Sequence, residues 1–343
     1  MLTSCLVEQD LWKQVSPLNS ERRRKKDHRV STPWTPRISW AQLPEHVRTA
    51  VEDILGSPVV EAHGQQGGFS PGTADRVRTA DGRRAFVKAV GTSLNAVAPR
   101  LHRAEAKISA LLPDTLPVPR YLGSYEKQGW VALVLEDIPG SHPKTPWTHV
   151  ELERVLDSLH ALGSNPVPST LAHLPALHTE VAAEFTGWDR VGTDPPTHLD
   201  PWIADRLPRL QDSARVGLSC LEGQSLVHSD IRSDNLLLTG QSAYIVDWPW
   251  ACIGVPWFDA LSVLINVRLH DAEFDVASVL STHPVFEGLP TDSIDGFLAG
   301  MSGYFIDGAR QPAPPGLPTL RSFQQAQGEA AIGWLRERWQ PAA

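Results

Sequence analysis

Short apolar runs punctuated by turn signals open the chain, and longer stretches at helical spacing close it. Leu43, Val47, Val51, Ile54 and Leu55 recur every three or four residues up to Gly56, the pattern of an amphipathic helix with a glycine stop. Val59 to Ala62 and Arg76 to Arg78 read as two strands of a hairpin around the segment Gly67-Gly68-Phe69-Ser70-Pro71-Gly72-Thr73. Asp81-Gly82 is a tight-turn signal, and Arg84 to Val90 follows as an apolar strand broken by one cation, Lys88. Leu101, Ala104, Ile108 and Leu111 set a helix within 97–112, and Trp130 to Ile138 is a buried strand that stops at Pro139-Gly140. Thr148 with Glu151 forms a capping box for a helix carrying Leu152, Val155, Leu156, Leu159 and Leu162. Residues 175–187 and 199–220 are helical but poorly periodic, with Pro195-Pro196 between them, and helical spacing returns at 257–270, 291–306 and 318–338. Strands first and helices afterwards predict an α+β chain.

Between those halves lies the most chemically loaded stretch. Leu226-Val227 and Leu236-Leu237-Leu238 flank His228-Ser229-Asp230-Ile231-Arg232-Ser233-Asp234-Asn235, and the run Ala243 to Val246 delivers Asp247. Phosphoryl transfer needs metal ions to bridge the phosphate oxygens and a carboxylate to receive the proton of the attacking hydroxyl. One loop supplying a base (Asp230) and an amide ligand (Asn235), with a second carboxylate (Asp247) on a neighbouring strand, meets that need with magnesium. The bland reading is a polar loop between hairpin strands, with Asp and Asn as turn formers.

These residues resemble the aminoglycoside phosphotransferase and choline kinase superfamily, small-molecule relatives of the protein kinases. Members show H-G-D-x-x-x-x-N, then an I-D-W-like triplet, then A-x-x-G-x-P-x-x-D opening a helix. The chain matches at His228, Asp230, Asn235, Asp247, Trp248, Ala251, Gly254, Pro256 and Asp259; Ser229 replaces the usual Gly, and Val255 replaces a frequent Asp. The resemblance implies a two-lobed protein-kinase-like fold. A small antiparallel sheet with one key helix covers the nucleotide, and a larger, mainly helical lobe carries the catalytic loop and acceptor site. It implies Asp230 as base, Asn235 and Asp247 as magnesium ligands, and Asp259 as a support for the loop. Gly67, Gly68 and Ser70 would cover phosphates, Lys88 would anchor them with Glu105 as its partner, and backbone groups near Glu136 and Ile138 would hold the adenine edge. Lys88 on a water-facing edge strand is the alternative. Arg232 lies where protein kinases carry a phosphate-touching Lys; it either stabilises the transferred phosphate or pairs with Asp234. His160 matches a Leu-His-x-Leu feature and reads as structural.

The expected reaction moves the γ-phosphate of ATP, with GTP possible, to a hydroxyl of a small molecule such as an aminoglycoside or another amino alcohol or sugar. Ser229 removes the Arg that answers a phosphorylated activation loop, and Asp259 follows Asp247 too closely for such a segment, so a protein substrate is disfavoured. A nucleotide-binding pseudokinase that regulates a partner is the competing class. Glu180, Glu184, Asp189, Asp194, Asp200 and Asp205 make the middle stretch acidic, which suits a cationic acceptor but fits ordinary helix surfaces better. Trp250 or Trp257 is expected to line the acceptor pocket, and Trp248 to pack.

Composition narrows the rest. A length of 343 residues suits two units, expected as 40–138 for nucleotide and 139–343 for catalysis, after a disordered basic extension over 1–39. The net charge of -8 argues against a nucleic-acid binder despite the local run Arg22 to Lys26. Cys5, Cys220 and Cys252 form no pair or metal pattern, so a reducing, cytoplasmic setting is expected; no stretch is long enough to cross a bilayer.

Overall fold

The computed structural model describes residues 37–65, 71–314 and 318–340. The expected basic extension therefore lies outside the described residues up to position 36, and so do Gly67, Gly68 and Ser70.

Helix α1 (Glu45–Leu55) buries Val47, Val51 and Leu55, one turn apart, and ends at Gly56, whose φ of 71° is the left-handed stop open to glycine. Five strands follow: β1 (Val59–Gly64), β2 (Thr73–Thr79), β3 (Arg84–Gly91), β4 (Tyr121–Lys127) and β5 (Trp130–Glu136). They form one antiparallel sheet in the order β1-β2-β3-β5-β4. Alternation decides which side each residue serves. Val77, Ala85, Val87, Ala89, Ala132 and Val134 pack with α1 on one face. On the other face Phe86, Leu133 and Leu135 meet Ala106 of helix α2 (Ala98–Ser109). Lys88 shares that second face, and β3 is the central strand, so the water-facing edge position is excluded. Gly72 enters β2 so close to β3 that a Cβ would collide with the Ala89 carbonyl; only glycine fits there.

The larger lobe is helical. Helix α3 (His149–Ser164) starts where expected, the Thr148 hydroxyl accepting from Glu151 N at 3.3 Å, and its five periodic leucine and valine positions are buried. The stretch 175–187 breaks into helix α4 (Leu177–Glu180), a 3₁₀ turn at Glu184–Thr186 and the start of helix α5 (Gly187–Thr193), which its weak periodicity foreshadows. Helix α6 (Pro201–Ser219) is capped by Asp200, with Pro201 in the first turn where a missing N–H costs nothing. Helices α7 (Trp257–His270), α8 (Val276–Thr282), α9 (Thr291–Ala309) and α10 (Leu320–Arg338) complete the core. Four short strands, β6 (Ser225–Val227), β7 (Leu236–Leu238), β8 (Ala243–Ile245) and β9 (Cys252–Gly254), form two separate ladders, β6 with β9 and β7 with β8. This is the α+β, two-lobed arrangement expected. The unforeseen strands are β4, whose alternation is diluted by Gly123 and Ser124, and β9, which is too short to register.

Candidate active site

The two small ladders string the loop 228–235 between β6 and β7. Leu226, Val227, Leu236 and Leu238 are buried and fix both ends. β8 runs back beside β7, and Val246 N donates to Asn235 O at 3.0 Å, so Asp247 emerges next to Asn235. The Asn235 side-chain amide donates to the Asp230 carbonyl at 2.8 Å and lies 3.4 Å from its carboxylate Oδ2. Asp230 and Asn235 are therefore in contact, and the backbone pairing sets Asp247 beside their loop. Ser229 and Asp247 hold φ of 60° and 71°, uncommon outside glycine and a sign of backbone over-determined by its surroundings.

That over-determination is visible bond by bond. Asp259, in the first turn of α7 and 3% exposed, accepts His228 N at 2.7 Å and Ser229 N at 3.0 Å. Burial raises its carboxyl to about 7, against the pull of those two N–H groups. The Ser229 hydroxyl donates to Trp250 O at 2.6 Å, a tie that glycine at this position cannot make. His228 Nε2 meets Val246 O at 3.0 Å while Nδ1 accepts from Asp230 N at 3.3 Å, an arrangement for the neutral ring; burial lowers its pKa to about 4. Trp248 packs edge-on against that ring at 4.8 Å and donates its indole N–H to Ile245 O.

From the sheet, Lys88 reaches down between two carboxylates. Its Nζ lies 2.8 and 2.9 Å from Glu105 Oε1 and Oε2, and 2.8 Å from Asp247 Oδ1. Glu105 is 2% exposed on α2, whereas the Asp247 side chain keeps 37% exposure. Burial alone would lift the Asp247 carboxyl, yet Lys88 holds it well below the usual range; burial likewise lowers Lys88, and the two carboxylates more than reverse that. Glu105 is pushed upward by burial, with Lys88 pulling the other way. The pairing of Lys88 with Asp247, residues 159 apart in sequence, was not foreseen.

Strand register also measures the distance to the linker. Lys88 faces Leu133 and Ala85 faces Glu136, three residues or about 10 Å along the strands, a span that a nucleoside and its first phosphate can cover. Glu136 ends β5, its N–H donating to Arg120 O at 2.9 Å, and Ile138 is buried. Between them Asp137, its side chain 1% exposed, holds Arg84 at 2.7 Å and Arg76 at 3.2 Å. Neither arginine was singled out from the sequence.

Arg232 grips Asp234 with Nε at 2.7 Å and Nη2 at 2.9 Å, and its Nη1 lies 3.7 Å from Asp230 Oδ1. Trp257 is 9% exposed and packs edge-on against Phe297, which makes it core rather than pocket wall. The acidic middle stretch is mostly structural: Asp200 caps α6 and pairs with Arg336, and Asp189 pairs with Arg215. Glu184 is the exception, fully buried with neither oxygen hydrogen-bonded among the described residues.

Asn235 spends its Nδ2 on the Asp230 carbonyl, which leaves its amide oxygen as the acceptor beside Asp247. One amide oxygen and one carboxylate form a hard-oxygen donor set, suited to magnesium completed by phosphate oxygens and water. Among the described residues no cluster of three His, Cys, Asp or Glu offers an all-protein metal cage. No described helix is long and apolar enough to cross a membrane.

Comparison with known proteins bears on the family and the fold. A family model described as phosphotransferase enzyme family matches residues 67–289. No curated protein sequence matches the chain. Among solved structures, a thermostable mutant of aminoglycoside phosphotransferase APH(4)-Ia in its apo form aligns over 86% of this chain and 100% of its own, with TM-score 0.54 and 14% identity. A putative fructosamine-3-kinase from Haemophilus somnus 129PT aligns over 83% and 96%, with TM-score 0.53 and 13% identity. Spectinomycin phosphotransferase APH(9)-Ia, solved with ADP and spectinomycin, aligns over 85% and 94%, with TM-score 0.52 and 13% identity.

Proposed function

The chain belongs to the phosphotransferase enzyme family, and from that premise we propose that it transfers the γ-phosphate of ATP or GTP to a hydroxyl of a small molecule. One observation carries the reading. Lys88 from the sheet, Glu105 from its helix and Asp247 from beside the loop meet within 2.9 Å, and Asn235 and Asp230 adjoin them. We assign 40–138 to nucleotide binding and 139–343 to catalysis and the acceptor.

In this assignment the linker around Glu136 and Ile138 receives the base, and Lys88, steered by Glu105, anchors phosphate. Asn235 and Asp247 would hold magnesium, which when bound neutralises charge on the transferring group. Lys88 leaves Asp247 Oδ1 as phosphate takes over its ammonium. Asp230, held by a loop tied to Asp259 and Trp250, orients the acceptor hydroxyl and takes its proton. Arg232 is held against Asp234 and serves phosphate only by releasing it. Gly67, Gly68 and Ser70 complete the phosphate cover.

The solved relatives bound to hygromycin B and spectinomycin make amino sugars and related polyols the first acceptors to try here. Asp259, in the first turn of α7, follows soon after Asp247, so the short connection through β9 favours a small molecule over a protein. A regulatory pseudokinase is the weaker reading, because lysine and both metal-ligand types are in place. The free thiols of Cys220 and Cys252 favour a reducing, cytoplasmic setting.

Asp230→Ala is the deciding experiment. Removal of a positioned base costs about two to four decades in kcat, measured as nucleotide consumption across a panel of amino sugars, choline-like amines and nucleosides. Nucleotide affinity is expected to stay within a few-fold. Undiminished turnover in the variant would reject the assignment, and nucleotide binding with no acceptor in the wild type would favour the regulator.

A further inference from the structure

Where the linker enters the helical lobe lies an open groove of about 620 Å³, bordering Ile138 through Arg76. Its walls come from four separate parts of the fold. Arg76 descends from β2, Ser141 and Lys144 follow the linker, Glu151 and Arg154 belong to the first turns of α3, and Thr239 follows β7. None of Lys88, Glu105, Asp230, Asn235 or Asp247 contributes.

The charge in this cavity runs against that of the molecule. The chain carries a net -8, yet here three cations face one carboxylate. Glu151 is engaged at the start of α3, where it accepts from the Thr148 hydroxyl at 3.1 Å. Among the described residues no carboxylate lies at ion-pair distance from Lys144 or Arg154. Arg76 shares its single carboxylate, Asp137, with Arg84. Two of the cations are also fixed before any ligand arrives. The Arg76 guanidinium donates to Ile138 O at 3.1 Å and Gly140 O at 3.2 Å, and Arg154 Nη1 lies 3.5 Å from Thr239 O. The backbone bridge between Ser141 and Leu238 braces the wall beneath them. Fixed side chains lower the ordering cost of binding; Arg154 keeps its Nε–Nη2 fork for phosphate or carboxylate, and Arg76 offers the N–H groups of Nη1.

We propose that this cavity is a second, non-catalytic site for a small anionic molecule bearing phosphate or carboxylate groups, held between Arg76, Lys144 and Arg154. Because Arg76 moves with the sheet and Arg154 with the helical lobe, an occupant joins the two lobes and couples to whatever binds between them. That coupling is reciprocal: a nucleotide that favours the same lobe arrangement strengthens the anion's binding by the factor it receives.

The test is calorimetric titration of the full chain with pyrophosphate at constant ionic strength, on wild type, Lys144→Ala/Arg154→Ala and Lys88→Ala. The expected result is a saturable site that survives Lys88→Ala and saturation with ATP or GTP, and that weakens at least about tenfold in the double variant, one charge-assisted contact being worth about that factor. Lys144→Glu, an exposed change with little consequence for folding, should weaken it at least as far. Binding unchanged in the double variant, or displaced by saturating nucleotide, overturns the proposal. The nucleotide arm stands even if Lys88→Ala fails to fold. The family-based reading of the catalytic cleft is not at stake in this outcome, because it fails or survives on Asp230→Ala.

Discussion

Replacing Lys88 by Met removes one charge and keeps most of the packed stem, which isolates the electrostatics of the three-way contact. The ammonium lies 2.8 Å from each of two carboxylates, Glu105 at 2% exposure and Asp247 at 37%. At an effective dielectric of ~20, one such contact is worth about 6 kcal/mol before desolvation. Measured losses on breaking a buried pair are about 3–5 kcal/mol, because the partner charge is stranded. Glu105 has an escape: burial already pushes its carboxyl upward, and without Lys88 it protonates more readily still. A carboxyl raised by folding contributes stability at low pH that is lost as pH rises through its folded pKa. The deficit of Lys88→Met should therefore approach about 3–5 kcal/mol near pH 8.5 and shrink toward pH 5.5, by at most about 1.4 kcal/mol per pH unit. Lys88→Met/Glu105→Gln should recover more than about 1.5 kcal/mol of the summed single losses, a coupling usual for residues in contact. Urea unfolding of wild type, both single variants and the double variant at the two pH values measures all of this. Additive losses within about 0.5 kcal/mol, or a deficit that ignores pH, would refute the reasoning.

Asp259→Asn keeps one acceptor and turns an NH₂ toward the second of the two N–H groups it serves, at His228 and Ser229. The expected cost is about 2–3 kcal/mol in stability and on the order of tenfold to a hundredfold in kcat as Asp230 shifts, with nucleotide affinity little changed; an unaltered kcat would show that the loop does not depend on this carboxylate. Glu184, raised by burial from an ordinary 4.5 to about 8, with Glu180 pushing the same way and Arg190 opposing, should make wild-type stability fall as pH climbs through that window. Glu184→Gln lacks the slope, so denaturation curves of the two proteins from pH 5 to 9 should diverge by up to about 1.4 kcal/mol per pH unit; parallel curves would contradict the burial argument.

Much of this was legible before any coordinates. Helix α3 announces itself through Thr148 and Glu151, and α7 through uninterrupted apolar periodicity, because caps and repeating faces are local properties. The grouping of Lys88, Glu105, Asp230, Asn235 and Asp247 was expected from the family resemblance, and the fold pairs Lys88 with Glu105 and Asp247 and sets Asn235 against Asp230. Strand β4 was not legible, since Gly123 and Ser124 blur its alternation and its place depends on pairing with β5. Arg76 and Arg84 carried no signal of their own until the fold brought buried Asp137 between them. Glu184 read as one more acidic helix position, and only packing of the 3₁₀ turn against α9 left its carboxyl without water.

The amino-acid order by itself determined the strand-then-helix plan and the inventory of groups for the chemistry, because propensity, periodicity and spacing act over a few residues. Tertiary structure alone added Asp247 to the expected pair of Lys88 and Glu105, chose Asp234 between the two roles open to Arg232, and gathered three cations around one groove. The physical reason is range. Coulomb attraction and desolvation depend on distance through space and on exclusion of water, and neither exists along the chain until the lobes have folded.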